Sequence, residues 1–402
     1  MNETNAPIIN NQIYVSENLS RQTTDDISST FYIKEARKND KILEPLEQYK
    51  SKVAPLEKQL FECLNLKLGE DIISEDMPLL DDINNSNYYI HLFRSAKLDP
   101  KKENFLLIHG FLSSGLHFLA LIPYLIKRYN IFIPDTIGMG LSSRPKFKFT
   151  SAVQCENYFL NIFHLLIKNI FFREKFNIRK EYYLCGHSLG GFFASRYMLR
   201  YPVGIKKILL LSPAGITDYR IPGTPVNKEM SACMCISSVC CPTIFWPCEL
   251  RVQNFYRCCL FHNLIKKKYG EYTINLDYNE IKKNPDGSDF KVDEKLFYSS
   301  LRELTILSLE YPDDLYNCIY YLFAVPPPAT ILPIERSLMD FNKKQIIFIF
   351  GEKDWMERYG AYRLNHHNPN LYKIFSIKNS GHSSALESPK EVSEIIGQYF
   401  EQ

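Results

Sequence analysis

No segment of this 402-residue chain offers the roughly 18 or more consecutive apolar residues that a membrane-spanning helix needs. The opening MNETNAPIINNQ lacks both the basic stretch and the apolar stretch of a secretory signal, so an intracellular, cytoplasmic protein is expected. Charge of one sign is also missing: 48 basic against 45 acidic side chains leave a net +3, which argues against a nucleic-acid partner. Nothing recurs at a period of about 20 to 50 residues, which excludes solenoids and propellers. Tryptophan is scarce, confined to Trp246 and Trp355. Cysteine is not scarce, but its count of 11 is odd, which fits a reducing compartment better than a disulfide framework. What is present, 45% hydrophobic and 23% charged residues, suits an ordinary globular protein with a sizeable core.

Residues 1–42 are rich in Asn, Ser, Thr and Asp without a hydrophobic period, and a mobile tail is expected there. Leu43 to Leu66 carries apolar residues at helical spacing, with Pro55 expected to break it into a docked hairpin of two short helices. Short apolar runs then alternate with longer amphipathic ones, the mark of a doubly wound α/β fold. Strands are expected at 88–95, 105–110, 130–135, 182–186, 206–212, 345–351 and 371–377. Helices are expected in LHFLALIPYLIKRY, in VQCENYFLNIFHLLIKNI and from Leu189. A last helix opens at Ser388-Pro389-Lys390-Glu391, a capping box with proline at the first helical position. The rhythm stops after residue 215 and resumes at Gln345. The division is therefore a first core part at 43–215, an inserted cap at 216–344 and a second core part at 345–402.

Gly186-His187-Ser188-Leu189-Gly190 matches G-x-S-x-G, directly after a strand and before a helix. Composition alone would place that pattern in about one 400-residue chain in seven, so the strand-turn-helix context is what gives it weight. A nucleophilic serine needs a base, and the base needs an orienting acid. Asp354 in Gly351-Glu352-Lys353-Asp354 leaves one late strand, and His382 in Ser380-Gly381-His382 leaves the next. Ser188 reads as nucleophile, His382 as general base and acid, and Asp354 as orienter, with Asp313, Asp314 and Asp340 as weaker competitors for the last role. Two backbone N–H groups should form the oxyanion hole, from Leu189 and from Phe111. His109, His187 and the stretch from Asp135 to Pro145 read as scaffolding, and His366-His367 as a solvated loop.

These residues resemble an α/β-hydrolase of the lipid-handling subfamily of α/β-hydrolase domain proteins four and five, which includes cardiolipin deacylases and lysophospholipid acyltransferase-like relatives. The matching pieces are HGF (109–111), DTIGMGLSSRP (135–145), GHSLGGFFASRY (186–197), LSPAG (211–215), GEKDWM (351–356) and SGHSSALESP (380–389). With them goes the Pro-Ile-Glu-Arg stretch at 333–336. The resemblance implies an α/β-hydrolase fold with a cap and a serine carboxylester hydrolase of the lipase or (lyso)phospholipase type, with no metal or organic cofactor. The subfamily's acyl-transfer pattern, a histidine followed five positions later by aspartate, is here His382 followed by Glu387. Glutamate keeps the charge but moves the carboxylate outward by a methylene, so hydrolysis, which needs only His382, is the first expectation and lysophosphatidate acyltransferase activity the second.

Two other functions compete. A non-catalytic lipid-surface adaptor or lipase co-activator is known in this subfamily among members that have lost the nucleophile, which Ser188 argues against. An aminopeptidase-like hydrolase would use the same fold. The cluster from Cys233 to Cys259 lacks the C-x-x-C pairs that zinc prefers. It suits buried thiols or S-acylation beside Trp246 and Lys266-Lys267-Lys268, and contact of the cap with a membrane or lipid-droplet surface is expected, with the protein peripheral on a membrane, lipid droplet or mitochondrion.

Overall fold

A computed structural model describes residues 43–80, 85–111, 113–145, 147, 149–172, 176–225, 290–310, 322, 332–341 and 343–400. The expectations for the tail, the Cys233–Cys259 cluster, the lysine run, Asp313 and Asp314 lie outside them. An eight-stranded sheet runs through the molecule in the order β1-β2-β4-β3-β5-β6-β7-β8. Its strands are β1 (Ile72–Leu80), β2 (Asn85–Ser95), β3 (Glu103–Ile108), β4 (Tyr129–Pro134), β5 (Tyr182–His187), β6 (Ile205–Leu211), β7 (Ile346–Gly351) and β8 (Tyr372–Ile377). The pairs β1/β2 and β2/β4 are antiparallel, and the rest are parallel.

The parallel strands read as continuous apolar runs because both of their faces are covered. Ile346, Phe348 and Phe350 of β7 enter one core together with Leu106, Leu184 and Leu210. Ile347 and Ile349, between them in sequence, enter the other with Phe105, Leu107 and Leu209. Side chains alternate across a strand, so a residue type that is apolar everywhere serves two cores at once.

The helices, in chain order, are α1 (Leu43–Cys63), α2 (Ile122–Leu125, which continues a 3₁₀ turn at Gly115–Leu121), α3 (Ala152–Ile167), α4 (Leu189–Arg200), α5 (Glu294–Glu310), α6 (Glu335–Met339), α7 (Tyr359–His367), α8 (Ser384–Glu387) and α9 (Pro389–Phe400). The first core takes α3, α4, α6 and α7. The second takes α1, the 3₁₀ turn with α2, α5 and α9. Among the described residues no helix is long and apolar enough to cross a membrane.

Three expectations change. The segment 43–63 is one helix with Pro55 inside it, not a hairpin. Pro55 and its neighbours Ser51, Lys52 and Ala54 are exposed, so the carbonyl that loses its partner can turn to water. Meanwhile Tyr49, Val53, Leu60 and Phe61 bury the other face, and that burial outweighs a proline cost of about 3 kcal/mol. Strand β1 was not foreseen. Its centre, Ser74-Glu75-Asp76, is polar, and Pro78 interrupts it, both tolerable only at a sheet edge. His366 and His367 are exposed but close helix α7 rather than lying in a loop, where cations favour the helix carboxyl end.

Beside β1 sits a buried polar group. Glu57 of α1 is 4% exposed. Burial, reinforced by Asp135 and Asp76 against the opposing pull of His91, pushes its carboxyl up to about 8. His91 donates from Nδ1 to Asp76 at 2.8 Å.

Candidate active site

The carboxyl ends of β3, β5, β7 and β8 bring the expected residues to one edge of the sheet. Ser188 follows β5 and precedes α4 with φ 52° and ψ −116°, a left-handed conformation that costs an L-residue about 1–3 kcal/mol. Its neighbours hold it there. Ser188 N–H donates to Leu211 O at 2.9 Å, and its carbonyl accepts from Phe192 N and Ala214 N at 3.1 and 3.0 Å. The flanking glycines are steric necessities. A Cβ on Gly186 would lie 2.4 Å from Gly190 O, and one on Gly190 would lie 2.2 Å from Ile108 O.

The turn after β3 reaches the same place. A Cβ on Gly110 would stand 3.0 Å from Ser188 Cβ and 2.9 Å from His187 Nδ1, so His109-Gly110-Phe111 abuts the serine. His109 is fully buried. Its Nδ1–H donates to Gly110 O at 2.8 Å, and its Nε2 accepts from Thr136 N at 2.9 Å. That pairing defines a neutral tautomer, and burial holds the ring's pKa below the ordinary histidine value. Asp135 in turn accepts from Gly115 N at 2.6 Å and Leu141 N at 2.8 Å. These groups knit the loops after β3 and β4 together.

Asp354 lies beyond β7, and its side chain is fully buried. Its Oδ1 accepts from Met356 N–H and from His382 Nδ1–H, each at 2.9 Å, while Oδ2 has no partner among the described residues. The imidazole of His382 is 12% exposed. Because Nδ1 carries the proton, Nε2 is left as the basic nitrogen. Asp340, the described competitor, ends α6 in solvent. The exits of β7 and β8 are cross-tied by Lys353 N to Ser380 O at 2.9 Å and Glu352 N to Ile377 O at 2.8 Å. The loop is pressed so close that a Cβ on Gly351 would meet Gly381 O at 2.1 Å.

Several contacts at the site were not foreseen from the sequence. His187 donates from Nε2 to the His382 carbonyl at 2.8 Å and stacks on His117 at 3.9 Å between ring centroids. Trp355, 45% exposed, lies 4.7 Å from the His382 ring. Its place directly after the acid was the one signal that pointed to it. The Glu387 carboxylate accepts from Gly381 N–H, from Ser383 N–H at 3.2 Å and from Ser380 Oγ–H at 3.4 Å. The N–H of Leu189 belongs to the first turn of α4, where helix amides lack intrahelical acceptors, and Phe111 follows Gly110 beside the serine.

Residues 103–230 match the family described as the alpha/beta hydrolase fold. The chain has the α/β-hydrolase fold. An Arabidopsis thaliana relative, a 1-acylglycerol-3-phosphate O-acyltransferase, is 28% identical over 313 residues, covering 76% of this chain and 68% of its own. The human 1-acylglycerol-3-phosphate O-acyltransferase ABHD5 is 33% identical over 118 residues, 29% of this chain and 31% of its own. A rice relative matches over 32% of each chain, so this chain spans about a third of the length of the human and rice relatives. Among solved structures, a bacterial membrane phospholipase A superposes with a TM-score of 0.55 over 90% of this chain and 92% of its own. At 16% sequence identity that likeness concerns the fold alone.

Proposed function

We propose that the protein is a serine carboxylester hydrolase of lipid substrates, of the (lyso)phospholipase or acylglycerol-lipase type, which also passes its acyl group to a lysophospholipid hydroxyl. The observation that carries this reading is the Asp354–His382 pair joined at 2.9 Å, with the His382 carbonyl bound at 2.8 Å by His187, the residue directly before Ser188 in its strained elbow. The naming of relatives as 1-acylglycerol-3-phosphate O-acyltransferases supports lipid esters as the substrate class.

In this mechanism Ser188 Oγ attacks the acyl carbonyl carbon while His382 Nε2 takes its proton. The imidazolium so formed is stabilised by the Asp354 carboxylate. The N–H groups of Leu189 and Phe111 stabilise the oxyanion. Collapse of the tetrahedral intermediate breaks the ester bond, and His382 returns its proton to the leaving alkoxide. Water, deprotonated by His382, then releases the fatty acid and regenerates Ser188. A lysolipid hydroxyl in the place of water yields a diacyl product instead. Substrate arrives from a membrane or lipid-droplet surface, and the exposed aromatic side chains of Trp355, Tyr359 and Tyr362 support contact with such a surface, where amphipathic rings settle.

The test is a panel of lysophospholipids and acylglycerols, in micelles and in anionic vesicles, with and without acyl-CoA, given to the protein and to Ser188→Ala. Fatty acid and diacyl product are followed by mass spectrometry. Release that depends on Ser188, and is faster on vesicles, is expected. Absence of any Ser188-dependent product would overturn the reading.

A further inference from the structure

We infer that Glu387 is a positioning residue for His382 and handles no proton in acyl transfer. The inference rests on the serine-ester reading of the site and specifies what the carboxylate five positions after the histidine does. Its two oxygens face the histidine loop: Oε2 accepts from Gly381 N–H and Ser380 Oγ–H, and Oε1 accepts from Ser383 N–H. The amides on both sides of His382 are therefore held by one carboxylate. Bonds from N–H groups to an ionised acceptor are the stronger kind.

The surrounding glycine agrees. A Cβ on Gly381 would sit 3.0 Å from Glu387 Oε2, so the residue before the histidine is small where the carboxylate passes. From the other side His187 Nε2–H binds the His382 carbonyl at 2.8 Å. The backbone of His382 is thus fixed by Glu387 at the flanking amides and by His187 at its carbonyl, while Asp354 fixes its ring. A carboxylate committed to two amides and a hydroxyl has little capacity left to accept a proton from a lysolipid hydroxyl. Transfer and hydrolysis then share one acyl-enzyme and one base, and differ only in the acceptor that reaches it.

The conclusion is tested on the full chain with Glu387→Gln and Glu387→Asp. Glutamine places an NH₂ where one amide needs an acceptor, so a bond is lost. Aspartate keeps both acceptor oxygens but withdraws them by a methylene. Three quantities are read: the rate at which a fluorophosphonate labels Ser188, the ratio of transfer to hydrolysis, and the downfield NMR signal of the His382 Nδ1 proton, assigned by its loss in His382→Ala. Thermal unfolding establishes that each variant is folded.

For Glu387→Gln labelling is expected to slow by about tenfold to a hundredfold, the usual effect of displacing a reacting group by about 1 Å. The transfer-to-hydrolysis ratio stays constant, and the proton signal broadens or disappears. Glu387→Asp recovers part of both. Loss of transfer alone, with labelling and the proton signal unchanged, would overturn the inference, as would no change in any readout or an aspartate variant no better than glutamine. If the parent protein does not label at all, the serine-ester reading fails, and the proton signal still decides the role of Glu387.

Discussion

Replacing Asp354 by Asn removes one charge from a site where that charge acts only during the reaction. An asparagine oxygen at the Oδ1 position can still accept from His382 Nδ1–H and Met356 N–H, so the ring stays where it is. What disappears is the attraction between the carboxylate and the imidazolium that forms as Ser188 attacks. The bonded atoms are 2.9 Å apart and the carboxylate is fully buried. Taking the charge centres at about 4 Å and an effective dielectric near 20 gives about 4 kcal/mol. That corresponds to a fall in kcat of about 10³. KM for a soluble p-nitrophenyl acyl ester should stay within a few-fold, because Asp354 is buried behind His382. Stability should hold, since Oδ2 has no partner among the described residues and an amide there forfeits no bond. The assay is steady-state kinetics beside thermal unfolding. A loss of less than about tenfold in kcat, or one carried by KM, would refute the electrostatic argument.

Two further predictions concern Glu57 and Gly110. Glu57 has a folded-state pKa of about 8, above its unfolded value, so the native state binds the extra proton. Stability from this group is full below about 4.5 and is lost as pH rises towards about 8, with a limiting slope near 1.4 kcal/mol per pH unit. Glu57→Gln should flatten urea-unfolding stability over that window and raise it at pH 8, and an unchanged slope would show that the carboxyl is not held neutral. Gly110→Ala places a methyl 3.0 Å from Ser188 Cβ and 2.9 Å from His187 Nδ1. A fall in kcat of at least about tenfold is expected for about 1–3 kcal/mol of stability; full activity would mean that the turn does not abut the serine.

How much could be read from the sequence depended on whether a residue's neighbours in space were also its neighbours along the chain. The parallel strands were legible because burial on both faces demands unbroken apolar runs such as IIFIF in β7. The elbow was legible because the close approach of strand and helix demands glycine at 186 and 190. Edge strand β1 escaped notice, since Ser74 and Asp76 share its exposed face while Glu75, half-buried on the other, is paired with Arg94 at 2.7 Å, which leaves no apolar alternation at its centre. Pro55 misled for the opposite reason: a local rule was overridden by the packing of α1 onto the sheet. The hydrogen bond from His187 to His382 joins residues 195 apart, and no local pattern reports it. Glu387 was visible as a residue, but its hydrogen bonds to the histidine loop were not.

In the proposed reaction a fatty-acyl group passes through Ser188, and the acyl-enzyme itself is the most direct evidence. The protein is mixed with a lysophospholipid of defined chain length, quenched in acid within the first turnover and digested, and the peptide containing Ser188 is weighed. A mass increase equal to that acyl group is expected, located on Ser188 and absent from the Ser188→Ala protein. Fatty-acid release that continues with Ser188 unmodified, or that persists in Ser188→Ala, would contradict the proposed reaction.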